Sequence, residues 1–150
     1  MSINQKKITE KSIKILKDYN IPITRPRILL LEILLKNKGP LRVEDVIKLS
    51  KNKIAISSLY RIINMLKNLN LISEFQTPDN TKVIELSDIN DNDHHHHIFC
   101  NTCGAVNDFA LNDNLEEKLK EEIKIIESIR NISILSHSLE LISTCNNCKT

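Results

Sequence analysis

Four cysteines and a run of four histidines are the residues best suited to chemistry. The cysteines stand as Cys100-Asn-Thr-Cys103 and Cys145-Asn-Asn-Cys148, and all lie in the second half of the 150-residue chain. Two such pairs supply four thiolates, the donor set of a tetrahedral structural zinc, because each tight knuckle aims two sulfurs at one ion. In a reducing compartment, paired cysteines bind metal or do redox chemistry more often than they form disulfides. Residues 104–144, 41 in number, separate the pairs. That exceeds the usual zinc-ribbon spacing, so a helix and strands are expected between the knuckles.

The second group is His94-His95-His96-His97, internal to the chain. On an extended strand alternate side chains face opposite ways. His95 and His97 then share one face, and His94 and His96 the other, which suits two separate metal sites. Imidazole serves zinc, iron, nickel or copper. Glu85, Asp108 and His137 are candidates to complete such sites, although each residue type is also ordinary in a strand or turn. Glu116 is a weaker candidate, because Asp113-x-x-Glu116 also has the spacing of a helix capping box.

Charge divides the chain sharply. Residues 1–86 carry 16 Lys and Arg against 8 Asp and Glu, a net of +8, and residues 87–150 carry 5 against 11, a net of −6. A basic half joined to an acidic half points to a polyanionic partner for the first half only. Aromatic residues are 3% and Trp is absent, so the core must be aliphatic. No apolar run approaches the roughly 20 residues of a membrane span. The first nine residues are polar, unlike a signal peptide. A cytoplasmic protein with no membrane partner is expected.

The elements that position these groups follow from apolar spacing. Residues 8–20 predict a first helix. A second begins after Thr24, with Pro26 tolerated in its first turn. Val43–Leu49 predicts a third, and a fourth, capped by Ser57 or Ser58, runs to about Leu69. Asn70 then suits a left-handed helix end. Strands at residues 71–76 and 82–86, joined by Thr77-Pro78-Asp79-Asn80, complete a winged helix-turn-helix outline. Residues 87–93 read as a hinge. Beyond it come strands at 94–100 and 105–109 and an amphipathic helix at 113–127, with Leu115, Leu119, Ile123 and Ile126 on one side. A strand at 132–142 carries His137. The fold class is therefore α+β: a winged-helix domain over 1–86, then a small α/β metal-binding dimerisation domain over 94–150.

Within the first domain, Ser57-Ser58-Leu59-Tyr60-Arg61 opens the fourth helix. There Tyr60 and Arg61 can reach a DNA groove while Ser57 and Ser58 donate to phosphate. Arg25, Arg27, Lys51 and Lys53 are candidate phosphate contacts.

Taken together, these segments resemble the ferric uptake regulator family. The likeness rests on Thr24-Arg25-Pro26-Arg27, Val43-Glu44-Asp45-Val46, Ser58-Leu59-Tyr60-Arg61, Val83-Ile84-Glu85-Leu86, the stretch from His94 to Gly104, and Cys145-x-x-Cys148. It implies a dimeric, cytoplasmic repressor that binds double-stranded operator DNA when its sensing site holds metal. It assigns Cys100, Cys103, Cys145 and Cys148 to structural zinc. It assigns Glu85, His95, His97 and Asp108 to a regulatory site, and His94, His96, His137 and Glu116 to a second site. Many members carry a His just before the Val43-Glu44-Asp45 segment, whereas Pro40-Leu41-Arg42 stands here. Zinc-uptake members often place a cysteine near the wing's end, where this chain has Glu85. That favours Fe²⁺ as regulatory metal over Zn²⁺ or Mn²⁺. Zinc-uptake and peroxide-sensing regulators are the alternatives within the family. From another class, a zinc-dependent enzyme or metal-storage module would need an open zinc position and a general base. No His-Glu-x-x-His is present, so an enzyme is not expected.

Overall fold

A computed structural model of the protein describes residues 2–87 and 95–149. The chain divides into two compact units, Met1–Asp91 and Asn92–Thr150. The hinge read at 87–93 and the histidine at 94 lie outside the described residues, except for Ser87.

The first unit is built on aliphatic stripes. Helix α1 spans Ile3–Asp18. It starts five residues earlier than its apolar pattern implies, because the Ser2 hydroxyl accepts from the Gln5 N–H and caps it. Helix α2 spans Arg25–Lys36, with Thr24 at the cap position and proline in the first turn. A two-residue strand β1, Leu41–Arg42, was not expected, and helix α3, Val43–Leu49, follows it. Helix α4 spans Ile56–Asn68. Its cap is Ala55 rather than Ser57 or Ser58, which instead sit inside the first turn. Asn70 takes a left-handed φ of 56° and lets Leu71 N–H return to Leu66 O at 2.9 Å. Strands β2, Ile72–Gln76, and β3, Lys82–Leu86, form the wing. The antiparallel sheet runs β1-β3-β2. Leu16, Leu30, Leu31, Leu59, Ile63 and Leu66 are among the side chains fully closed off at its centre.

The second unit is a three-stranded sheet in the order β5-β4-β6 with one helix. Strand β4 is His96–Cys100, β5 is Val106–Phe109 and helix α5 is Asp113–Arg130. β5 pairs antiparallel to β4, while β6 pairs parallel to it, so α5 is the crossover. The last strand is short: β6 is Glu140–Ser143, followed by a single 3₁₀ turn, Asn146–Cys148. Residues 132–139, expected as strand, have no regular structure, so His137 lies ahead of β6 rather than within it. Every residue of α5 is at least partly exposed, including the apolar side at Leu115, Leu119, Ile123 and Ile126.

Candidate metal centres and nucleic-acid face

The cysteine pairs meet. Their four sulfurs lie within 4.8 Å of one another. Cys103 and Cys145 are 3.7 Å apart, and Cys145 and Cys148 are 3.5 Å apart. Thiolates about 2.3 Å from one zinc at tetrahedral corners stand about 3.8 Å apart, so the spacing fits that ion. The first knuckle closes because Gly104 takes a φ of 71°, with Gly104 N–H bonded to Cys100 O at 2.9 Å. The 3₁₀ turn forms the second knuckle. Backbone N–H groups of Cys103, Cys145 and Thr102 hold the Cys100 thiol down at about 5. Hydrogen bonding to the Cys145 and Cys103 sulfurs pushes Cys148 up to about 12. Zinc binding requires deprotonated cysteines, so metal uptake at this cluster would release protons.

β4 carries two further clusters. His96 is 1% exposed. The Leu139 N–H donates to its Nδ1 at 3.0 Å, which turns Nε2 towards Glu116, 3.5 Å away. The other oxygen of Glu116 is 2.9 Å from His137 Nε2. Glu116 is not occupied in a capping box, because Asn112 caps α5 one residue earlier through the Asn114 N–H. His97 sits opposite Asp108 in the β4–β5 register, with Nε2 3.5 Å from the carboxylate. The His95 and His97 rings are 5.4 Å apart, and these three residues offer ligand atoms within 4.8 Å of one another. Glu85 belongs to the first unit, buried at the end of β3 opposite Ser73.

On the first unit, Ser57, Tyr60 and Arg61 are exposed along α4, and Ser58 is half-buried. Lys82 of the wing stands over the Tyr60 ring, 5.8 Å from its centroid. Arg25 and Lys53 line an open cleft of about 490 Å³ beside Ile28 and Leu29. Lys51 flanks a neighbouring hollow. Arg27 has one guanidinium N–H donated to Pro22 O at 2.7 Å, which leaves the rest of its fork for a phosphate.

A model of the ferric uptake regulator family matches residues 18–142. The ferric uptake regulation protein of Vibrio vulnificus is 30% identical over 140 residues, 89% of each chain. Among solved structures, the Helicobacter pylori ferric uptake regulator, with three functional metal-binding sites, superposes with a TM-score of 0.70 at 25% identity. The match covers 96% of this chain and 93% of that one. The Francisella tularensis regulator, solved with iron, gives 0.69 at 25% identity, covering 87% and 96%. This chain therefore belongs to the ferric uptake regulator family of metal-dependent transcriptional regulators.

Proposed function

We propose that this chain is a cytoplasmic, homodimeric repressor. In this reading it binds operator DNA through its first unit when its second holds a divalent metal, Fe²⁺ in preference to Zn²⁺ or Mn²⁺. The arrangement of donors around β4 carries the reading: a thiolate tetrahedron at one end and an imidazole–carboxylate cluster on each face. The closed, soft set at Cys100, Cys103, Cys145 and Cys148 fits structural zinc. His95, His97 and Asp108, joined by Glu85, supply nitrogen and oxygen donors without thiolate, as suits Fe²⁺. His96, Glu116 and His137, with His94, make up a second site of similar chemistry.

Glu85 ends the wing, whereas its three co-ligands belong to the second unit. A ligand set drawn from both would tie the DNA-binding half to the sensing half. The bound ion would supply the positive charge that offsets the two carboxylates. The coupling needed is modest, since allosteric effects are typically about 1–3 kcal/mol. The net +8 of residues 1–86 and the exposed Tyr60 and Arg61 support DNA as the partner. The exposed apolar residues of α5, and β6 at the sheet edge, support a second copy as the cover for the other half. No helix among the described residues is long and apolar enough to cross a membrane.

The test is a titration of duplexes enriched from a random-sequence pool, with Fe²⁺, Mn²⁺ or Zn²⁺, on wild type and on His95→Ala/His97→Ala. The double variant is expected to lose metal-dependent binding while keeping its cysteine zinc and its dimer. Equal metal stimulation of both proteins would move the switch to the cluster of His96, Glu116 and His137.

A further inference from the structure

Helix α4 presents one more polar residue beside those its opening motif singles out. Ser57, Tyr60, Arg61 and Asn64 follow one another at i, i+3, i+4 and i+7, so they share a helix side. All four are exposed, and the opposite side is closed by Leu59, Ile62, Ile63 and Leu66. At 3.6 residues per turn, Asn64 falls within about 20° of Ser57 and roughly 10 Å further along the axis. It is therefore centred between Tyr60 and Arg61 on the face that a groove would meet. The same four-residue spacing carries the base contacts of homeodomain helices lying in the major groove.

Asn64 also has no structural return. Asn is a poor helix former. Position 64 is exposed, four residues short of the helix end, and the left-handed turn that follows belongs to Asn70. A carboxamide in that place has one strong use on DNA: its oxygen accepts from an adenine N6 amino group while its NH₂ donates to N7.

We propose that Asn64 is a specificity-determining residue that reads an adenine in the major groove, one helical turn beyond Tyr60 and Arg61. The proposal rests on the DNA-binding reading above. It separates roles along the helix: Ser57 at the positive end meets phosphate, and Asn64 distinguishes bases. The basic charge of the first unit supplies attraction that is blind to sequence.

The experiment uses the full-length, zinc-containing protein with added Mn²⁺ and a pool of random duplexes, on wild type and Asn64→Ala. The selected wild-type duplex is then remade with 7-deazaadenine at each adenine in turn. One adenine per half-site is expected to cost wild type roughly 5- to 150-fold in affinity when N7 is removed. Asn64→Ala is expected to be indifferent to that change, to accept other base pairs there, and to bind non-operator duplex as wild type does. The proposal is overturned if Asn64→Ala selects the same bases at every position with unchanged affinity, or if it loses the same factor on every duplex. A wild type that enriches no sequence would overturn the DNA-binding reading as well. The deaza series on wild type keeps the proposal falsifiable whatever the variant's own stability.

Discussion

The two units solve the problem of stability differently. Among the described residues, seventeen buried apolar side chains from Leu16 to Ile84 belong to the first unit, and only Phe99 and Cys100 to the second. The first unit can therefore draw on ordinary aliphatic burial at about 25 cal/mol per Å². The second, 59 residues long, falls in the size range where metals or partner subunits supplement a small core. Its polar groups are spent accordingly: His96 is nearly as buried as the core leucines of the first unit, and Glu116 bridges two imidazoles. One half holds its shape by packing, and the other keeps its shape available to metal.

Removing the zinc sharpens this contrast most. Cys103→Ser, or a strong chelator, is expected to unfold the second unit, because structural zinc contributes on the order of 10 kcal/mol to such a fold. The first unit should persist. Both tyrosines, Tyr19 and Tyr60, lie in it, so near-ultraviolet tyrosine circular dichroism reports on that half alone. A tyrosine signal that collapses together with zinc loss would break the comparison.

The converse substitution is Leu31→Ala. Leu31 is fully buried in α2, so the change should cost about 2–5 kcal/mol through lost burial and the cavity left behind. It should lower the denaturation midpoint of the tyrosine signal and leave the zinc content unchanged. Loss of zinc in this variant would mean that the second unit leans on the first unit's core.

A smaller effect is expected at the exposed apolar side of the second unit. Ile126 is 44% exposed on α5. Ile126→Asp should weaken self-association by about 2 kcal/mol or more, roughly 30-fold in Kd, while zinc and the tyrosine signal stay intact. Sedimentation as a dimer at unchanged affinity would show that a second copy does not cover this side of α5.

What could be read from the sequence divides along the same line. The helices of the first unit follow from Ile and Leu stripes, because burial there is set by local spacing. The start of α1 was hidden by Asn4, Gln5, Lys6 and Lys7, which show no stripe and depend on the Ser2 cap. With two glycines in the chain, left-handed turns fall to other residues. Asn20, Asn52, Asn70, Asn80 and Asn131 all have positive φ, and of these the sequence alone singled out Asn70 and placed Asn80 in a turn. In the second unit the apolar run at 132–142 suggested one long strand. Only Glu140–Ser143 pairs, because the register is set by parallel alignment to β4, some 43 residues away. Alternation along β4 placed His96 and His97 in different clusters, a strand property independent of register. The meeting of Glu116 with His137 is long-range, and its local capping-box spacing pointed elsewhere. Asn64 carried a weaker signal, a poor helix former on the exposed side of α4, beside Tyr60 and Arg61.

The smallest expected effect lies in the wing, where packing gives way to surface chemistry. Asp79 accepts from the Thr77 hydroxyl, and its other oxygen is 3.7 Å from the Arg42 guanidinium. The Thr77 bond, aided by Thr81 and Arg42, holds the Asp79 carboxyl below its ordinary value of 3.8. A carboxylate with a depressed pKa adds stability that is present above its unfolded value. That stability is lost as pH falls through the folded value. The wing turn should therefore be marginally firmer at pH 6 than at pH 2.5. Asp79→Asn should lower the tyrosine-reported midpoint slightly at pH 6, as changes at exposed positions do. The two proteins should then converge in acid. A carboxyl-carbon NMR titration gives the direct reading: its midpoint for Asp79 should fall below 3.8. A midpoint at or above that value, or a wild-type advantage that grows in acid, would show that the Thr77–Asp79 contact does not stabilise the charged form. The wing would then owe its shape to β-pairing of β2 with β3 alone.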